Sequence, residues 1–186
     1  MTSDIHSKYT VLLADPPWAY NDACNAGNRG AVHKYPCLRY HELCELQVNG
    51  IPVSELAADN SALFLWATAP MLPLALCLTH AWNFKYKTVA FTWAKTCRNS
   101  DKWFMGMGNW TRSNAEFCLL AVRGHPKRVD AGVRSLVVAS RREHSQKPDE
   151  VRVLIERLFG DVPRIELFAR GKALPGWTFW GDEVLP

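Results

Sequence analysis

Apolar residues run almost unbroken through YTVLLA (9–14) and SALFLWAT (61–68), which are too short for buried helices and rich in strand-forming side chains. Such runs predict strands covered on both faces. FKYKTVAFTWAK (84–95) alternates in part, and AEFCLLAVRG (115–124), SLVVAS (135–140) and RIELFAR (164–170) read as further strands. KPDEVRVLIERLFG has apolar residues at Val151, Leu154, Ile155 and Leu158, acids at its start and Gly160 near its end, the pattern of an amphipathic helix. PMLPLALCLTHAW (70–82) reads as an apolar helix whose prolines stand near its start, where they are tolerated. RYHELCEL and PVSELAAD read as short helices, and GWTFWGDE (176–183) as a short aromatic element. Two stretches, 19–36 and 96–114, have no period and read as loops. A loop of nineteen residues in a compact domain is usually functional or mobile. Strands alternating with helices predict one α/β domain over residues 1–186, built on a largely parallel sheet.

Composition changes this picture little. The 186 residues are 48% hydrophobic and 22% charged, as in ordinary globular proteins. No apolar run reaches the roughly 18 residues that span a bilayer, and MTSDIHSKYT lacks the apolar core of a signal peptide, so a soluble cytoplasmic protein is expected. The six cysteines form no CxxC pair. Cys77 in LALCLTH and Cys118 in EFCLLAV sit in apolar runs, where cysteine acts as a small hydrophobe. His33, Cys37, His41 and Cys44 match no compact zinc-finger spacing, so reduced structural thiols and no metal are expected.

Charge changes it more. The net charge is only +4, yet residues 85–147 carry thirteen Lys/Arg against four Asp/Glu, and the rest of the chain nine against fourteen. A segment that basic suggests a polyanionic partner, the alternative being a solvated face.

The candidate chemistry lies where the first strand stops, in VLLADPPWAY (11–20). Ligands of open α/β sheets bind beyond the carboxyl ends of the strands, and Asp15 falls at such an end. Prolines fix φ and remove N–H donors, leaving carbonyls that only accept. An acid, rigid carbonyls and an aromatic face form a receptor for a flat group carrying N–H donors, such as the exocyclic amine of a nucleobase. Asp15 and the Pro16 carbonyl would take its two hydrogens, and Trp18 would stack on its ring. A strand-ending turn with a core tryptophan fits the same four residues.

The stretch resembles the [DNS]PP[YFW] motif of amino-methyltransferases that use S-adenosylmethionine, and DPPW looks like the adenine-N6 class. The chain is similar to the family containing the catalytic subunit of the eukaryotic mRNA adenosine methyltransferase, with bacterial and phage relatives. ADPPW, LFLWAT, AEFCLLAVRG, SQKPDEVRVLIERL, RIELFAR and GWTFWGDE match in order. The resemblance implies a Rossmann-like methyltransferase fold with helices on both faces of the sheet and permuted motif order, the catalytic motif (Asp15, Pro16, Pro17, Trp18) preceding the cofactor strand. It implies that S-adenosylmethionine meets Asp15, Lys147 (for its carboxylate), Glu166, Leu167, Phe168, Arg170 (near the ribose), Lys172, Asp182 and Glu183. Asp182 and Glu183 depart from the family, which usually carries Asn and a second polar residue there; an ionised Asp182 only accepts. For the target base it implies Trp18, Tyr35, Asn114 and Glu116. Trp66, mid-strand in an apolar run, reads as core.

An amine inside a duplex is hidden, so the base must be flipped out or come from a single strand. The loops 20–36 and 96–114 are natural gates. Arg29, Lys34, Lys95, Arg98, Lys102 and Arg112, with Arg141 and Arg142, interleaved with Trp103, suit backbone neutralisation and base stacking. DNA is the expected polymer, by analogy with compact bacterial and phage family members. RNA is the alternative, a non-catalytic nucleic-acid-binding subunit a second, and a protein-amide or cytosine-N4 enzyme a more distant one. With no further domain to read sequence, specificity is expected to be short or relaxed unless a second copy of the chain assists as a homodimer.

Overall fold

The computed structural model describes residues 8–19, 37–108, 110–142, 146–172, 174–181 and 183–185. The long apolar runs form neighbouring strands of one eight-stranded sheet. β1 (Tyr9–Ala14) lies in its interior, between β4 (Ala57–Ala67) and β9 (Arg164–Leu167), and pairs with both in parallel. β11 (Trp177–Trp180) extends the parallel half beyond β9. Beyond β4, β7 (Glu116–Arg123) runs antiparallel between β4 and β5 (Lys85–Cys97), and β8 (Leu136–Ser140) pairs with β5 in parallel. β6 (Ser100–Trp103) folds back on the end of β5. The expected mostly parallel sheet is thus present, with β6 and β7 running against the rest.

The two-residue pleat decides which side chains each face buries. Leu12, Ala14, Leu63, Leu65, Leu119, Ala121, Ile165 and Leu167 join one core, covered by α1 (Tyr40–Cys44), α2 (Val53–Leu56) and α3 (Leu72–Ala81). Val11, Leu13, Ala62, Phe64, Trp66, Phe91, Trp93 and Cys118 join the other, covered by Val151, Ile155 and Phe159 of α4 (Glu150–Phe159). Helices therefore lie on both faces, as expected. Gly160 ends α4 with φ +72°, and its carbonyl accepts a 2.8 Å bond from Arg164 Nη1. Trp82 Nε1 donates to Leu43 O at 2.8 Å and fastens α1 to the end of α3.

Several elements differ from the sequence reading. RIELFAR breaks after Leu167, because Phe168 adopts φ +60°, and resumes as β10 (Arg170–Lys172), which pairs in parallel with β12 (Glu183–Leu185). PVSELAAD makes a single helical turn before β4 begins at Ala57. Residues 96–114 contain the β5–β6 hairpin, so only the part after Trp103 is irregular. A small hairpin of β2 (Gln47–Val48) and β3 (Ile51–Pro52) turns through Asn49 and Gly50, both at positive φ. Its Asn-Gly pair is the standard two-residue hairpin signal. Cys118 is buried as expected, whereas Cys77 is exposed on α3. No helix among the described residues is long and apolar enough to cross a membrane.

Candidate active site

The topology brings a chemically rich set of residues to one end of the sheet. β1, β4, β5, β8 and β9 all end there, while β7 starts there because it runs the other way. Continuing the pleat past the core residues of the α4 face puts Asp15 after Leu13, Lys95 after Trp93 and Glu116 before Cys118. Lys147 enters from the segment leading into α4. The chain leaves β1 toward β4 and returns to β9 on the other side. The end of β1 is therefore the switch point at which open α/β sheets bind ligands.

Four of these groups form an alternating chain of charge. Lys147 Nζ lies 2.7 Å from each Asp15 carboxylate oxygen and 3.4 Å from Glu116 Oε2, and Lys95 Nζ binds Glu116 Oε1. The four side chains are 13–19% exposed. Each ammonium also faces an indole, Lys147 at 5.7 Å from the Trp66 ring and Lys95 at 4.8 Å from that of Trp93. The two indoles meet edge to face at 6.5 Å. Burial pushes the Asp15 carboxyl above its ordinary range despite Lys147. Burial also acts on Lys147 and Glu116, but there their partners prevail, holding the ammonium higher and the Glu116 carboxyl lower than usual. The site is dry enough for charge to matter, yet nearly self-neutralised.

Beside it runs a cleft open to solvent and lined by Asp15, Trp66, Lys147, Glu166, Phe168 and Arg170 among others. Glu166 is held on both oxygens by Arg152 of α4, Nε to Oε2 at 2.6 Å and Nη2 to Oε1 at 2.8 Å. Arg152 also reaches Asp149 at 2.5 Å and stacks on Phe179. Burial raises the Glu166 carboxyl in spite of that pairing. Sequence reasoning missed Arg152, although its position one turn into the helix after Lys147 was a usable signal. Phe168 lines the cleft in the left-handed region, a strained conformation for an aromatic residue of the kind that collects at functional sites. Its ring packs on Trp180 at 5.7 Å. Gly181 follows because a Cβ there would meet Ala169 O at 2.6 Å. Leu167, expected at the cofactor, is fully buried in the opposite core, since the pleat turns it away from α4. Its carbonyl faces the Asp15 N–H at 3.5 Å.

The Pro-Pro-Trp segment is a built turn. Trp18 N–H donates to Pro16 O at 2.9 Å, an i to i+2 bond, and Leu38 N–H donates to Pro17 O at 2.9 Å. The Pro16 carbonyl keeps its second lone pair for another donor. Trp18 revises the expectation of a stacking ring. Its indole is 5% exposed, packed in the core, and donates from Nε1 to Trp66 O at 3.1 Å. The core reading of this tryptophan therefore holds. Trp18→Phe is expected to lower stability by about 1–2 kcal/mol, through a lost buried hydrogen bond and lost area. A thermal melt measures that cost, and the affinity for an adenine-containing oligonucleotide should stay at the wild-type value. Trp66 is core as expected, and its ring also lines the cleft.

Asn114 is likewise revised. Its Oδ1 accepts from Lys95 N–H at 2.9 Å, and its Nδ2 donates to Lys95 O at 2.8 Å and Phe104 O at 2.5 Å. That amide is spent clamping the arch 104–114 to β5 and cannot read a base. Glu116, expected at the target base, is engaged by two lysines, Lys95 and Lys147. Lys95 belongs to the buried charge chain rather than to a nucleic-acid surface. Arg142 pairs with Asp149, and its carbonyl accepts from Arg98 at 2.6 Å. Arg123, counted in the basic segment, holds the Ser54, Ala57, Trp82 and Asn83 carbonyls. Arg98, Lys102, Arg112 and Arg141 are exposed around the arch, with Arg141 over the Phe104 ring at 4.2 Å. Trp103 (60%), Met107 (85%) and Trp110 (98%) stand out from the same region. Arg29, Lys34, Tyr35 and Asp182 lie outside the described residues. For Lys172 and Glu183 only the backbone is described, with Glu183 paired beside Arg170.

The MT-A70 family model matches residues 9–183. The chain is 36% identical to the type II methyltransferase M.MunI of Mycoplasma sp. over 195 residues, covering 95% of this chain and 78% of that protein. It is 31% identical to the N(6)-adenosine-methyltransferase catalytic subunit METTL3 of Homo sapiens, covering 97% of this chain and 29% of that protein. An MT-A70-like N(6)-adenosine-methyltransferase of Arabidopsis thaliana is 29% identical over 97% of this chain and 24% of its own length. The chain thus spans most of the bacterial relative and under a third of the eukaryotic ones. It belongs to the MT-A70 family of methyltransferases.

Proposed function

We propose that this chain transfers the methyl group of S-adenosylmethionine to the N6 amine of adenine in DNA. The observation that carries the reading is Asp15: a buried carboxylate at the switch point, followed by a hydrogen-bonded Pro-Pro turn that holds a carbonyl acceptor next to it.

The cleft suits the cofactor by its donor set. Lys147 supplies a cation for a carboxylate, Glu166 and Asp15 supply acceptors for ammonium and hydroxyl groups, and Phe168 and Arg170 complete the lining. When bound, S-adenosylmethionine supplies an electrophilic methyl group on a sulfonium. Asp15 accepts one N–H of the target amine, and the Pro16 carbonyl accepts the other with its unused lone pair. Two acceptors of fixed direction draw the nitrogen lone pair out of the ring and aim it, so orientation and electrostatics supply most of the acceleration. Asp15 need not take the proton, because the alkylated nitrogen is acidic enough to lose it to water.

The exposed arch fits the polymer. Arg98, Lys102, Arg112 and Arg141 suit phosphates, and Trp103 and Trp110 suit the faces of unpaired bases. Asn114 and the Gly106 N–H to Ser113 O bond at 2.8 Å keep that arch in shape. Trp110→Ala is expected to weaken binding of a single-stranded oligonucleotide about tenfold. Fluorescence anisotropy reads the loss, and the melting temperature should not move. DNA is favoured because the likeness to the type II methyltransferase runs through most of that protein. RNA is the second reading, on the likeness to N(6)-adenosine enzymes. Label transfer from methyl-labelled S-adenosylmethionine to matched single- and double-stranded DNA and RNA separates the two. Label in DNA supports the proposal, label in RNA alone moves the chain to the second reading, and none in any polymer removes the enzymatic reading.

A further inference from the structure

Lys147 Nζ lies 2.7 Å from both Asp15 oxygens, a bifurcated contact that leaves N–H donors for other acceptors. Glu116 Oε2 at 3.4 Å is its second carboxylate partner. Glu116 itself is fixed from the far side by Lys95, whose main-chain N–H and C=O are gripped by Asn114. The order is acid, base, acid, base, from the end of β1 to the end of β5; the pleat puts Asp15, Glu116 and Lys95 on the α4 face, and the segment before α4 brings in Lys147. A structural pair on a protein surface needs no such arrangement, and burying four charges in an apolar layer is costly unless each is matched.

We propose that Glu116 and Lys95 are positioning residues: a buried counter-ion pair that, acting through the Lys147 ammonium, aims the Asp15 carboxylate and sets its charge. The inference rests on Asp15 being the acceptor residue of the proposed reaction. Glu116 keeps Lys147 from collapsing wholly onto Asp15, and Lys95 keeps Glu116 from acting on Asp15 as an unscreened like charge. The groups whose charge reaches Asp15 are Lys147, Glu116, Arg170 and Glu166, and the Cys118 thiol close by is kept neutral by burial. Of these, only Glu116 is backed by a lysine that makes no contact with Asp15 itself. Removing Glu116 takes a negative charge from the neighbourhood of Asp15, whereas removing Lys95 leaves that charge with Lys147 alone to balance it, at the expense of Asp15. The two deletions must therefore shift Asp15 in opposite directions, which a merely structural role does not require.

The test is the pH titration of the Asp15 carboxyl carbon in the full chain without ligands, using ¹³C-labelled aspartate and assigning the signal by its loss in Asp15→Asn. In Glu116→Gln the midpoint should fall by about one pH unit, and in Lys95→Met it should rise by about half a unit. Glu116→Asp should bring it back toward wild type and guards against a Gln variant that folds poorly. The acid limb of the methyl-transfer rate should follow the same order. Midpoints unmoved in both deletions, or moved the same way, overturn the inference. Because the titration needs neither cofactor nor nucleic acid, its result stands apart from that of the proposed reaction. An inactive wild type with opposite shifts would sink only the reaction.

Discussion

Asp15→Asn is expected to slow methyl transfer by a factor of about 10²–10³, the loss typical of removing one preorganised electrostatic partner of a transition state. The amide keeps one acceptor but loses the negative charge, and its NH₂ would face the Lys147 ammonium that now sits 2.7 Å from the carboxylate. A side chain turned to avoid that contact no longer aims at the amine. The fold should survive, because Lys147 retains Glu116 as a counter-ion. Single-turnover rates measure the loss. Circular dichroism and a melt confirm that the variant is folded, and a variant as fast as the wild type would remove Asp15 from the reaction.

The second large effect falls on stability. Arg152→Met removes both bonds to Glu166, a side chain only 9% exposed, and leaves a buried carboxylate without its cation. Breaking such a pair from one side costs about 3–5 kcal/mol. The sign with pH follows from linkage. Burial already raises the folded-state pKa of Glu166, and losing Arg152 raises it further. A carboxyl with a raised folded pKa is neutral and harmless at low pH and costs stability as the pH climbs through its unfolded and then its folded value. The deficit against wild type should therefore be greatest near neutrality and shrink on acidification below the raised Glu166 pKa. Urea melts across that range measure it. A deficit independent of pH would mean that Arg152 acts by packing alone.

Much of this was legible in the chain because a single rule carried it. Unbroken apolar runs placed β1 and β4 in the sheet interior, and the same pleat arithmetic that sorts Leu12 from Leu13 puts Asp15, Lys95 and Glu116 on one face. The pairing among them was not legible, since it depends on β7 running antiparallel between β4 and β5, which no local pattern declares. Trp18 is placed at the base by its ring chemistry and by the family resemblance, and Asn114 by the resemblance alone. Tertiary partners far along the chain, Trp66 O and the Lys95 main chain, claimed them instead. The basic character of residues 85–147 was read from a count, and a count cannot tell Lys95 and Arg123, spent inside the fold, from Lys102 and Arg112 on the surface. Local twist hid as well: the break at Phe168 has no glycine to mark it, and only the cleft beside it explains why a strained residue stands there.

The proposed reaction requires the end of β1 to present an adenine amine to a methyl donor. Its most direct test is the chemical identity of the product. Adenine-containing DNA incubated with the wild-type chain and S-adenosylmethionine would be digested to nucleosides and analysed by mass spectrometry against authentic standards. The expected product is N6-methyldeoxyadenosine. A methyl group on a ring nitrogen of adenine, on cytosine, or on the protein itself would contradict it.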